Sequence, residues 1–129
     1  MSSALLDTHV WAWSFVDSSK LSRTAQSTIV EADTVLVSPI SFYEISLKTR
    51  LGKWPEMEPF VNDLLGILKG QSGQQAPFTA EICHQAGLWD WSHRDPFDRL
   101  LAATAKITRT PLISRDTVFQ GLDDLTVIW

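Results

Sequence analysis

The sequence predicts an α/β domain built on a mainly parallel sheet of about five strands, with helices flanking the sheet. Three observations predict it. Apolar or β-branched runs of strand length alternate with stretches of helical pattern, as in successive βαβ units. Two helix starts carry a capping side chain followed by proline at the first helical position, Ser38-Pro39 and Asp95-Pro96. Asp7 and Asp116 stand where a strand has just ended, and open sheets of this class bind ligands beyond the carboxyl ends of their strands.

The elements follow in order. Residues 4–7 form a short apolar run ending in an acid, the first strand. Residues 21–32 have helical pattern after a polar start. Residues 34–38 (TVLVS) are β-branched and bounded by turn formers, a second strand. The helix that opens at Ser38-Pro39 runs to a stop at Gly52. Residues 59–69 read as a further helix, and 70–77 (GQSGQQAP) as a surface loop. Helices over 79–89 and 96–108 complete the set, the latter capped by Asp95. Residues 111–114 (PLIS) and 125–129 (LTVIW) are the remaining strands.

The 129 residues fit a single domain, 1–129. A chain of this size buries about two-thirds of its unfolded surface, and a composition 44% hydrophobic and 20% charged is that of a globular protein. No apolar run reaches the ~20 residues of a bilayer span. The N-terminal residues have no basic lead and meet Asp7 too early for a signal peptide. A lone cysteine, Cys83, forms no intramolecular disulfide. Together these point to a cytoplasmic protein without a membrane partner. The net charge of −4 argues against a basic nucleic-acid coat protein, but not against an enzyme whose acids surround a cation.

Four acids carry the functional reading. Asp7 follows Leu5-Leu6 and also suits a helix N-cap. Glu44 falls within the stripe of Ile40, Leu47 and Leu51, and a buried glutamate needs a partner or a metal. A pairing with Lys48 one turn on is its alternative. Asp98 is the third helical residue after the Asp95 cap, bordering Phe97, Leu100, Leu101 and Thr104, where the helix dipole also favours an acid. Asp116 ends a strand, where a turn-forming Asp is the alternative. Two acids held ~4 Å apart repel by roughly 4 kcal/mol at the effective dielectric of a protein surface. Gathering several requires a divalent cation or basic partners. Oxygen ligands select Mg²⁺ or Mn²⁺ over zinc; His9, His84 and His93 form no close pair at zinc spacing, and Cys83 stands alone.

Leu5-Leu6-Asp7-Thr8-His9-Val10-Trp11, Ser41-Phe42-Tyr43-Glu44-Ile45, Asp95-Pro96-Phe97-Asp98-Arg99-Leu100-Leu101-Ala102-Ala103 and Ile113-Ser114-Arg115-Asp116 resemble the PIN domain. More narrowly they resemble the VapC-type toxins of type II toxin–antitoxin pairs. The resemblance covers nearly the whole chain, and the DPFDR segment is its most specific part. It implies a three-layer, Rossmann-like PIN fold and metal-dependent hydrolysis of RNA phosphodiesters. It carries Asp7, Glu44, Asp98 and Asp116 into the catalytic site, with Asp7, Asp98 and Asp116 holding one or two Mg²⁺ (or Mn²⁺) ions. Asp95, Ser114 and Thr8 are expected to support these acids. Arg94, Arg99 and Arg115 are candidates for phosphate contacts, with surface salt bridges as the alternative for each. The resemblance further implies a cognate antitoxin and a homodimer that assembles again with it.

Of the six tryptophans, core and interface roles are preferred over stacking on RNA bases, with Trp11, Trp13 and Trp54 assigned to apolar patches for the dimer and antitoxin. Two other functions share parts of this pattern. A receiver-type signalling module also uses an acidic Mg²⁺ pocket, but Asp7 has no acidic neighbour. A PIN-fold RNA- or partner-binding module with weak or no nuclease activity is the second.

Overall fold

The computed structural model describes residues 2–129. Five strands, β1 (Ser3–Leu6), β2 (Thr34–Val37), β3 (Gln74–Gln75), β4 (Leu112–Ile113) and β5 (Val127–Ile128), form one sheet in the order β3-β2-β1-β4-β5. Every pairing is parallel, so β1 lies at the centre with Leu5 opposite both Leu36 and Leu112.

Alternation along β1 creates three layers. Ala4 and Leu6 join one core with Val10, Trp11, Ala25, Ile45, Leu64 and Leu68. These come from α1 (Thr8–Val16), α2 (Arg23–Glu31), α3 (Pro39–Arg50) and α4 (Leu64–Gly70). Leu5 faces the other way, onto Ala102, Ala105, Leu112 and Phe119. That side is covered by α6 (Pro96–Thr108), whose Ala103 packs against Ile82 and Ala86 of α5 (Ala80–Leu88). Period-two alternation on a central strand with both faces covered is what a parallel sheet demands.

Capping agrees with the sequence. Ser38 accepts from the Ile40 amide with Pro39 at the first helical position, and Asp95 accepts from the Phe97 amide ahead of Pro96. Gly52, in the left-handed region at φ 71°, lies just beyond the end of α3.

One helix went unread and three expectations need correction. The segment Thr8–Val16 is a helix that periodicity does not mark, because its residues are apolar nearly all round. Residues 59–69 are not one helix but a 3₁₀ turn, Val61–Asp63, leading into the short α4. Part of the 70–77 loop pairs with β2 as the edge strand β3. Trp11 is not at a surface patch: it is fully buried, and its indole donates to Gln71 Oε1 at 2.9 Å. No helix of the described residues is long and apolar enough to cross a membrane.

Candidate functional site

The sheet order places the ends of β1 and β4 side by side, and the chain turns there into helical segments capped by acids. Asp7 caps α1: its Oδ1 accepts from the His9 amide at 3.1 Å. The Asp7 amide itself donates to Ile113 O, so the strand pairing fixes the backbone. Just past β4, Asp116 caps the 3₁₀ turn Thr117–Phe119 by accepting from the Val118 amide. Ser114 couples the two strand ends: its buried hydroxyl donates to Asp7 Oδ2 at 2.6 Å and accepts from the Asp116 amide at 3.0 Å. The Thr8 hydroxyl hydrogen-bonds not to an acid but to Ser41 Oγ, at 2.8 Å, and ties α1 to α3.

Asp7, Glu44, Asp98 and Asp116 line one cavity of about 450 Å³ together with Asp95, Lys48, His9, Trp13 and Arg115. Glu44 is 5% exposed, and Lys48 Nζ lies 2.6 Å from its Oε2. Burial and pairing thus both occur, and the ion pair is part of the cavity wall. Sequence reasoning missed Lys48 as a wall residue and weighed His93 only as a zinc ligand, not as a partner of Asp98. His93 Nε2 lies 2.7 Å from Asp98 Oδ2, and His93, Asp95 and Asp98 could each offer one ligand atom within 4.8 Å of the others. Its signal was present as the start of the same HRDPFDR run that contains both acids.

The electrostatics of the cavity disfavour bare carboxylates. Burial pushes the Asp7 carboxyl above its ordinary value, against the lowering effect of hydrogen bonds from Ser114 and His9, and Glu44 adds repulsion. Desolvation raises Asp98 from 3.8 to about 6; the His93 contact opposes this, while Asp95 and Asp7 reinforce it. Among the described residues the only Lys or Arg paired with a carboxylate is Lys48, on Glu44, and His93 meets Asp98 in a hydrogen bond, so Asp7 and Asp116 have no cationic partner within salt-bridge distance. A hard, oxygen-seeking divalent cation fits this donor set.

The raised pKa of Asp98 has a stability consequence. Its folded pKa lies above the unfolded one, so the stabilisation from holding this proton is complete below about 3.8 and is lost as pH rises through about 6. Asp98→Asn in EDTA is therefore expected to melt higher than the natural chain at pH ~7.5, where the carboxyl is charged. A rise from 3.8 to about 6 corresponds to ~3 kcal/mol in full. The partial solvent access of this carboxylate reduces that to about 1 kcal/mol, a few degrees in Tm. The gap should close near pH ~4, and calorimetry that found it equal at both pH values would contradict this origin.

The arginines divide. Arg115 lines the acidic cavity. Arg94 does not; it borders a separate cavity of about 250 Å³ with Cys83 and Gly87. Arg99 is withdrawn from phosphate binding because its guanidinium is already committed. Nε donates to Ala86 O, Nη1 to Trp91 O and His93 O, and Nη2 to Trp89 O. It fastens residues 86–93 to α6.

Comparison with known proteins agrees with this architecture. Among solved structures, a toxin–antitoxin complex from Klebsiella pneumoniae aligns with TM-score 0.61 at 17% identity, covering 95% of each chain. VapBC2 from Rickettsia felis, bound to a DNA fragment from its promoter, aligns with TM-score 0.62 at 15% identity, covering 97% of this chain and 96% of that one. FitAcB from Neisseria gonorrhoeae aligns with TM-score 0.61 at 20% identity, covering 96% and 95%. At such identities the likeness is one of fold. No curated protein sequence matches significantly. The family model of the PIN domain matches residues 4–125, nearly the whole length, and on that match the chain belongs to the PIN domain family.

Proposed function

We propose that this chain is a divalent-metal-dependent endoribonuclease and the toxin of a type II toxin–antitoxin pair. The observation that carries the reading is the cavity where Asp7, Glu44, Asp98 and Asp116 meet at the carboxyl edge of the sheet with few cations to balance them. The fold-level likeness to chains from toxin–antitoxin complexes supports the biological setting with an antitoxin partner; a homodimer belongs to the same proposal.

Asp7, Asp98 and Asp116 are the residues that would hold Mg²⁺ or Mn²⁺, directly or through water. When bound, the ion lowers the pKa of water and offsets charge on the phosphate. Ser114 orients Asp7 through its 2.6 Å hydrogen bond. With the His9 amide on the other oxygen, Asp7 is held in one rotamer and keeps acceptor capacity on both oxygens. His93 and the helix cap at Asp95 hold Asp98 from the other side of the cavity. Glu44 Oε2 is engaged by Lys48, leaving Oε1 to accept the proton of the attacking water. Arg115, exposed on the rim, meets the phosphodiester.

The test is cleavage of a structured RNA mixture by purified protein with Mg²⁺, Mn²⁺ or EDTA. Cleavage with either ion and none in EDTA is expected. Absence of cleavage under all three conditions, with no co-purified antitoxin, would favour the binding-module reading instead.

A further inference from the structure

Beside the carboxylates the cavity has a second kind of wall. His9 and Trp13, one turn apart on α1, both line it. The His9 ring stacks on Trp54 at 4.5 Å between centroids and 26° between planes. It lies 5.9 Å from Trp13, which in turn lies 6.0 Å from Trp129. Four rings from α1, the segment after α3 and the residue following β5 thus form an aromatic ledge of stacked and tilted contacts, of which His9 and Trp13 line the cavity. Trp13 and Trp54 are half-buried against the core, which makes the ledge rigid, while His9 is exposed.

We infer that this ledge is a stacking subsite for an unpaired base next to the scissile phosphate, with the exposed His9 ring as its contact face; the inference rests on the nuclease reading above. A nucleotide presents two things, a charged phosphate and a flat apolar face. The cavity matches both, with Arg115 beside the carboxylates and with His9 and Trp13 on the adjoining wall. Aromatic side chains accept any base by stacking, but only when the base has left its own stack. A paired helix would therefore leave the ledge unused. A protein partner has other apolar surface available: the strongly exposed Val30, Leu65 and Leu88 lie on α2, α4 and α5.

The experiment is binding of a labelled single-stranded decaribonucleotide, and of the same sequence in duplex form, to the full chain. Ca²⁺, another oxygen-seeking cation, replaces Mg²⁺, and the RNA is checked by gel for integrity. The exposed His9 is replaced by alanine and, as a rescue, by phenylalanine. His9→Ala is expected to weaken single-strand binding about tenfold, the size of one lost base–aromatic stack. His9→Phe should restore it to within about twofold, since any aromatic face serves. The duplex should bind the natural chain no better than the single strand binds His9→Ala. Equal single-strand affinity for the natural chain and a folded His9→Ala would overturn the inference, as would equal affinity for duplex. If RNA is still cleaved in Mg²⁺ in that case, the nuclease reading survives; if the natural chain neither binds nor cleaves RNA, both fall. A His9→Ala change in oligomeric state by sedimentation, with RNA affinity intact, would make the ledge an interface between copies and overturn the base subsite.

Discussion

Asp7→Asn is expected to lower metal-dependent RNA cleavage on the order of a thousandfold, about 4 kcal/mol of transition-state stabilisation, while the chain stays folded. Asparagine keeps an acceptor for the His9 amide, so the cap on α1 is retained. Its amide nitrogen can still meet the Ser114 hydroxyl, which is able to accept as well as donate. What disappears is a carboxyl group whose charged form is disfavoured by burial. In EDTA at neutral pH the variant should therefore melt no lower than the natural chain. Initial rates over a Mg²⁺ titration, with calorimetry on the same samples, separate the two effects. Full activity in the variant would sink the proposed roles of the acids. Combining Asp7→Asn with Asp98→Asn should cost far less than the product of the single losses, because residues that hold one ion act as a unit.

The second large effect is structural. Arg99→Ala should destabilise the fold by about 3 kcal/mol, since it strands the carbonyls of Ala86, Trp89, Trp91 and His93 at once. Arg99→Lys should recover only a small part. An ammonium has no planar fork to serve four acceptors spread along a loop, and it gives up the stacking geometry over Trp91, 5.8 Å away. Urea denaturation checks the magnitude. Because residues 86–93 include His93, the partner of Asp98, metal affinity should fall as well, even in the fraction that remains folded.

Arg99 also shows where the sequence ceased to be legible. An arginine inside an acidic motif looks like a phosphate ligand, and only the path of the chain from α5 to α6 reveals that backbone carbonyls surround it. Glu44 is inside as expected, 5% exposed, but not on the stripe that suggested it: Leu51 is exposed, and the buried face of α3 is Ser41, Glu44 and Ile45. Caps and strand ends were readable at Ser38, Asp95 and Asp7 because each is a local chemical event. Helix α1 was not, since a segment such as VWAW, with Val10, Trp11 and Ala12 all buried, shows no polar face to set a period. Neither was β3, two exposed glutamines whose pairing with β2 is decided by a neighbour and not by propensity. The mainly parallel sheet was legible from the alternation of strands and helices, while the strand order β3-β2-β1-β4-β5 was not.

The hydrogen bond between Ser114 and Asp7 spans 107 residues of sequence. Since β1 is central and borders both β2 and β4, the first strand made is the one that waits longest for its second neighbour. During translation a chain can pair β1 with β2 early, yet it cannot bring Ser114 and Asp116 beside Asp7 until almost all of the matched region has emerged. On the nuclease reading, a nascent polypeptide on the ribosome, surrounded by RNA, is thus catalytically blank until the chain has emerged past Asp116. The topology acts as a delay on an enzyme that would otherwise be made in contact with its own substrate.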